Sequence, residues 1–128
     1  MSFPAQWAQD AARKGARLLD GHIPDWFLQI RRQSLDLGCC TQCILGQLFR
    51  HFVQGRDKLE EWDEIRSRIL QVPVTQRHLV NVLEEYGFDV WSENRYHDLT
   101  EAWLQEIQER INRHNQEIQE VHIHDRTL

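Results

Sequence analysis

The chain has 128 residues, 41% of them hydrophobic and 27% charged, with a net charge of -5, which suits one folded domain with its own core and excludes a disordered chain. No apolar run approaches the roughly 20 residues of a membrane span. The start of the chain lacks the charged, apolar and small-residue order of a secretory signal, so a cytoplasmic location without membrane contact is expected. Charge is uneven: residues 1–56 carry seven Lys/Arg against four Asp/Glu, and residues 57–128 carry eight against sixteen. No Lys/Arg run exceeds two residues, so the basic stripe of a nucleic-acid binder is missing and nucleic acid is not an expected partner.

With six Gly and three Pro there are few turn residues for a many-stranded fold. The expectation is a mainly α protein: a single compact helical domain of about five to six helices with a long C-terminal helix. Residues 1–103 would form the core and residues 104–128 an extension and tail. The first helix opens after Ser2 and stops near Gly21, with Phe3, Trp7, Ala11, Leu18 and Leu19 at near-helical spacing. Pro24 opens a shorter helix carrying Trp26, Phe27 and Ile30, with Arg31 and Arg32 at its C-terminal end. After a connector at Leu35–Gly38, the stripe Ile44, Leu45, Leu48, Phe49, Phe52 and Val53 predicts one core helix from about Cys40 to Gln54. Arg50 and His51 would lie in its last turn and Gly55 at its C-terminal cap.

Asp57 to Val72 repeats the pattern with Leu59, Trp62, Ile65, Ile69 and Leu70, and Pro73 ends it. Thr75 is the natural N-cap of a helix carrying Leu79, Val80, Val82, Leu83 and Tyr86 before Gly87. The stretches Leu70–Val74 and Phe88–Trp91 also suit short paired strands, and helix is preferred. From Asp98 or Thr100 to about Val121 runs the longest periodic segment. Its Leu104, Ile107, Ile111, His114, Ile118 and Val121 fall at alternating three- and four-residue steps, a heptad seam that suits either a partner helix or the chain's own core.

Cys39, Cys40 and Cys43 are the most reactive cluster, since a C-x-x-C pair at a helix start suits zinc or disulfide exchange. A zinc signature needs a second ligand pair, and the sequence holds only these three cysteines. His51, two helical turns from Cys43 and ~12 Å away on a continuous helix, is too distant to share an ion. His122 and His124 remain as metal ligands, on one side of the tail if it is extended. The simpler reading makes the cysteines small buried hydrophobes. Phosphate-binding, nucleophile-elbow, zinc-protease and deaminase patterns are all missing, so no enzyme is expected. A catalytic reading would need a pocket joining Cys40 or Cys43 to His78 or His97, near the polar loop Trp91–Asp98. The acidic runs Glu60-Glu61, Asp63-Glu64 and Glu84-Glu85 read as solvated helix faces.

The segment Cys40 through Phe49 fits the pattern C-x-x-C-[IV]-L-G-Q-L-[FY]. It is accompanied by Leu18-Leu19-Asp20, Ile23-Pro24-Asp25-Trp26, Leu35-Asp36-Leu37, Gly87-Phe88, Tyr96 and Leu99-Thr100-Glu101-Ala102-Trp103. This ordered series, covering most of residues 16–107, resembles a set of small uncharacterised proteins of actinobacteria and their phages. The resemblance implies a shared small fold and a phage or mobile-element origin, with no reaction or cofactor attached. The chain departs from that pattern in its acidic stretch around residues 57–80 and in its extension past Arg110.

Two functional expectations follow. The first is a non-enzymatic protein-protein interaction module, in its specific form a phage-encoded modulator of a host or defence protein. It would present the seam Leu104–Val121 and the acidic Glu60, Glu61 and Glu64 to a partner or to a second copy. The second is a small zinc-binding or redox-sensing regulator using Cys39, Cys40 and Cys43 with His122 or His124.

Overall fold

The computed structural model describes residues 3–71, 79–90 and 92–126, with side chains outside the description at 79–81 and 120–126. Among the described residues six α-helices follow in order: α1 (Gln6–His22), α2 (Ile44–Phe49), α3 (Phe52–Leu59), α4 (Asp63–Gln71), α5 (Leu79–Glu85) and α6 (Tyr96–Arg126). Short 3-10 turns lie at Trp26–Gln29, Arg32–Ser34 and Glu93–Arg95, and no strand occurs among the described residues. The domain is single and compact, mainly α, with the long C-terminal helix expected from the seam. None of the described helices is long and apolar enough to cross a membrane.

The core forms where α1 and α6 pack together. α1 turns Ala8, Ala12, Gly15, Ala16 and Leu19 inward at three- and four-residue steps, a mostly small-residue face that lets α6 approach closely. A Cβ on Gly15 would strike the Tyr86 carbonyl and stand 2.8 Å from the Trp103 ring. Trp103 on α6 is fully buried, with its edge toward Trp26 at 5.7 Å between centroids and its ring tilted over Phe88 at 5.5 Å. Its indole nitrogen donates to the Gly87 carbonyl at 2.6 Å, so the ring also ties the turn after α5 to α6. Gly87 holds φ 75°, the left-handed conformation that terminates this helix without a Cβ penalty.

Several boundaries differ from the sequence reading. The expected helix from Cys40 to Gln54 is two helices, because Arg50 takes φ 79° and breaks the hydrogen-bond ladder. His51 is then the N-cap of α3, its Nδ1 accepting from the Val53 amide at 3.1 Å. Gly55 caps nothing; it lies inside α3, buried, where a Cβ would come 2.7 Å from that of Leu45. Of the apolar stripe that reads as one helix face, Ile44 and Leu45 are buried and Leu48, Phe49 and Phe52 partly so between the two helices, whereas Val53 is exposed.

Pro24 leads to a 3-10 turn instead of an α-helix, with Asp25 in the left-handed region at φ 60°. The helix expected from Asp57 to Val72 is split by a turn at 60–62, its first residues belonging to α3. Thr75 and the strand alternative over Leu70–Val74 fall in or against 72–78, outside the described residues. α6 begins at Tyr96, one short turn before the expected Asp98. Ile107 and Arg110 are buried, so the core continues beyond residue 103.

Candidate functional site

Arg110 fixes the position at which α6 leaves the core. Its side chain is only 8% exposed, yet it is a cation, and burying a cation requires paired partners. Asp20 from α1 supplies them: Nε reaches Oδ1 at 3.0 Å and Nη2 reaches Oδ2 at 2.9 Å, a two-pronged guanidinium–carboxylate contact. The same Asp20 Oδ1 accepts from the buried Trp26 indole at 2.9 Å. Burial pushes the Asp20 carboxyl up, but the hydrogen bonds from Arg110 and Trp26 and the Arg110 charge outweigh it and hold its pKa below 3.8. Glu106, one turn earlier, lies between Arg13 and Arg110 at 3.6 and 3.7 Å. Burial dominates there and pushes its carboxyl up despite both cations, with Glu109 adding to the rise.

Beyond this anchor the seam leaves the core. Leu104 packs partly buried against it and Ile107 is fully buried; Ile111 is partly buried and His114 sets its ring edge-on to Phe27 at 6.0 Å. Residues 115–119 are all exposed, and Ile118 leaves 52% of its surface in water. The helix nevertheless continues to Arg126, so about 12 residues, ~18 Å of helix, project past His114. The first part of the seam docks on the chain's own core, and Ile118 faces outward. The side chain of Val121 lies outside the described residues.

The acidic set is mostly engaged within the chain. Glu61 pairs with Lys58 at 3.0 Å and Glu64 with His22 at 2.5 Å, where the His22 ring stacks flat on Trp62. The His22 hydrogen bond draws the Glu64 pKa down. Glu60 is exposed, and no ion pair among the described residues involves it.

The three cysteines share one turn and one cavity of about 200 Å³, which Leu37, Gly38, Phe52, Asp89 and Tyr96 also line. The Gln42 and Cys43 amides both donate to the Cys39 carbonyl, at 3.2 and 2.9 Å, so the turn is helical in shape before α2 begins. Cys43 is the N-cap of α2, its buried Sγ accepting from the Gly46 amide at 3.2 Å. Burial pushes its thiol pKa up against that hydrogen bond. Cys40 is exposed and Cys39 partly so. The Cys39 thiol lies 3.5 Å from Thr41 Oγ1, and this contact with the neighbouring backbone amides draws its pKa down.

Gly46 carries no Cβ because one would strike the Cys40 carbonyl. Across the cavity, Tyr96 donates to Asp89 at 2.9 Å, and burial followed by this hydrogen bond pushes its phenol up to about 12.

Among the described residues no group of three His, Cys, Asp or Glu is placed to hold a metal ion, and the side chains of His122 and His124 lie outside the description. The cavity that holds Cys40 and Cys43 has no histidine in its described lining. His97 lines a different cavity with Arg32 and Thr100, and His78 is outside the described residues. Sequence reasoning missed Asp20, Arg110 and Tyr96 as a pairing anchor and a cavity wall. A lone Asp and Arg separated by 90 positions leave no local signal. Compared with known proteins, the chain matches no family model, no curated protein and no solved structure.

Proposed function

We propose that the chain is a non-enzymatic helical interaction module that pairs with a second copy through the projecting part of α6. The observation that carries this reading is the course of the seam, which packs on the core from Leu104 to Ile111 and then emerges with Ile118 half in water on a helix that runs on to Arg126. Identical seams match in register, and a heptad face on a polar helix suits helix-to-helix pairing. Residues 113–126 carry two Arg against two Glu and one Asp, so copies meet with little net repulsion. Glu61 and Glu64 already have partners inside the chain and are not needed for this contact. Modulation of a host or defence protein is the use we propose for such a module.

Native mass spectrometry of the full chain at micromolar concentration tests the pairing. A dimer that Ile118→Glu converts to monomer is expected. A monomer throughout, or a dimer indifferent to Ile118→Glu and to truncation after His114, refutes it.

A further inference from the structure

We infer that Cys40 and Cys43 are a reversible redox modification site that closes to an intramolecular disulfide by exchange with a low-molecular-weight disulfide such as oxidised glutathione. This site lies on the turn before α2 and does not rest on the pairing of α6.

Geometry selects the pair. The amides of Gln42 and Cys43 both donate to the Cys39 carbonyl, which winds residues 39–43 into a helical turn. Residues three apart on such a turn have Cα atoms ~5 Å from each other, within the roughly 4.4–6.8 Å span that a disulfide bridges. Cys43 Sγ already leans toward Cys40, 3.8 Å from its carbonyl oxygen. Adjacent Cys39 and Cys40 have Cα atoms only about 3.8 Å apart, below that span. Cys39 and Cys43 meet the distance criterion at ~6 Å, but the Cys39 thiol is turned to Thr41 and the Cys43 thiol to Cys40 and Gly46.

The turn is also held in place for the reaction. The Cys40 carbonyl accepts from the Phe52 amide at 2.8 Å, and Gly46 packs directly beneath it.

Exposure assigns the order of events. Cys40 opens to solvent beside a cavity that admits the sulfur end of a small disulfide, whereas Cys43 is buried. The Cys40 thiolate attacks one sulfur of the small disulfide, forming a mixed disulfide and expelling one small thiolate. Cys43 then loses its proton to solvent, and its thiolate attacks Cys40 Sγ and expels the second small thiolate. Two protein thiols and one small disulfide thus become one protein disulfide and two small thiols. The reverse reaction with reduced glutathione restores the thiols.

The test uses the reduced full-length protein, incubated with excess oxidised glutathione, quenched in acid and alkylated under denaturing conditions with N-ethylmaleimide. Intact mass is expected to show one alkylated thiol, no glutathione adduct and the loss of two hydrogens, with peptide mapping joining Cys40 to Cys43. Cys39→Ser should close the bridge at an unchanged rate. Cys43→Ser should instead accumulate glutathione on Cys40, at least tenfold above wild type. Three alkylated thiols, a stable glutathione adduct on Cys40 of the wild-type chain, or a bridge mapped to Cys39 would overturn the assignment, and the wild-type map decides it even if a variant fails to fold.

Discussion

Replacing Asp20 by Ala removes both hydrogen bonds that neutralise Arg110 and the acceptor of the buried Trp26 indole. Hydrogen bonds to charged groups contribute about 1.5–3 kcal/mol each. The Asp20 side chain is 44% exposed, so water screens part of this and the lower end applies, about 3 kcal/mol for the two Arg110 contacts together. Unfolding entropy of about 2.1 cal/mol/K per residue converts that loss into a fall of ~11 °C in Tm for a chain of 128 residues. Urea and thermal denaturation at pH 7, both followed by circular dichroism, measure the free-energy loss and the fall in Tm. Asp20→Asn, which keeps the Trp26 acceptor but not the charge, should cost about half as much.

The pH dependence gives the argument its sign. The Asp20 pKa is lowered on folding, so its contribution is present above 3.8 and is lost as pH falls through the folded value. The gap between wild type and Asp20→Asn should therefore close below pH 3.8. Glu106 behaves oppositely: its pKa is raised above 4.5, so its contribution is present below 4.5 and lost as pH rises through the folded value. Glu106→Gln should cost less than Asp20→Asn at pH 7. A loss below about 1 kcal/mol for Asp20→Ala, or equal losses for the two amide variants, would refute this account of Arg110.

The close approach of α1 gives a paired expectation. Gly15→Ala should destabilise by about 3 kcal/mol because its Cβ meets the Tyr86 carbonyl and the Trp103 ring. Gly21→Ala, with nothing within 4 Å of the new Cβ, should stabilise by about 0.5 kcal/mol through helix propensity; thermal denaturation of both checks the contrast. In the cysteine cavity, ultraviolet titration should show a tyrosine ionising near pH 12 that Tyr96→Phe removes. Asp89→Asn should lower that value by withdrawing a neighbouring negative charge, and an unmoved titration would place Asp89 outside the effect.

The long periodic segments were legible because periodicity reports a continuous buried face. α1 and α6 both appear close to where spacing places them, but α1 buries Ala8, Ala12, Gly15 and Ala16 with Leu18 and Leu19, while Phe3 is exposed and Trp7 and Ala11 are only partly buried. The same signal misleads between Cys40 and Leu59, where Ile44, Leu45, Phe49 and Phe52 keep helical spacing across a break at Arg50. Two short helices folded face to face bury the same residues as one straight helix, so hydrophobic spacing alone does not separate them. The break is fixed by tertiary contacts: the Cys40 carbonyl holds the Phe52 amide, and Leu45 closes over Gly55. Gly55 read as a cap because a helix end and a helix crossing both favour glycine. The cysteine cluster stood out at once, but the partners that shape its cavity, Phe52, Asp89 and Tyr96, come from three separate parts of the chain.

Ile107 and Ile118 occupy the same seam eleven residues apart, and their surroundings assign them different work. Ile107 is fully buried between α6 and the core, so Ile107→Ala should cost about 2–5 kcal/mol of folding stability. Ile118 is 52% exposed, so it adds little to folding; its remaining surface is worth about 1 kcal/mol when covered. A symmetric pair covers two such surfaces, and Ile118→Ala should weaken the dimer by about 2 kcal/mol, roughly 30-fold in Kd. Sedimentation equilibrium supplies the dimer Kd, and urea denaturation at a concentration where the chain is monomeric supplies the stability. If Ile118→Ala lowers the stability of the monomer by more than about 1 kcal/mol while leaving Kd unchanged, the outer seam is serving the fold and the pairing assignment fails.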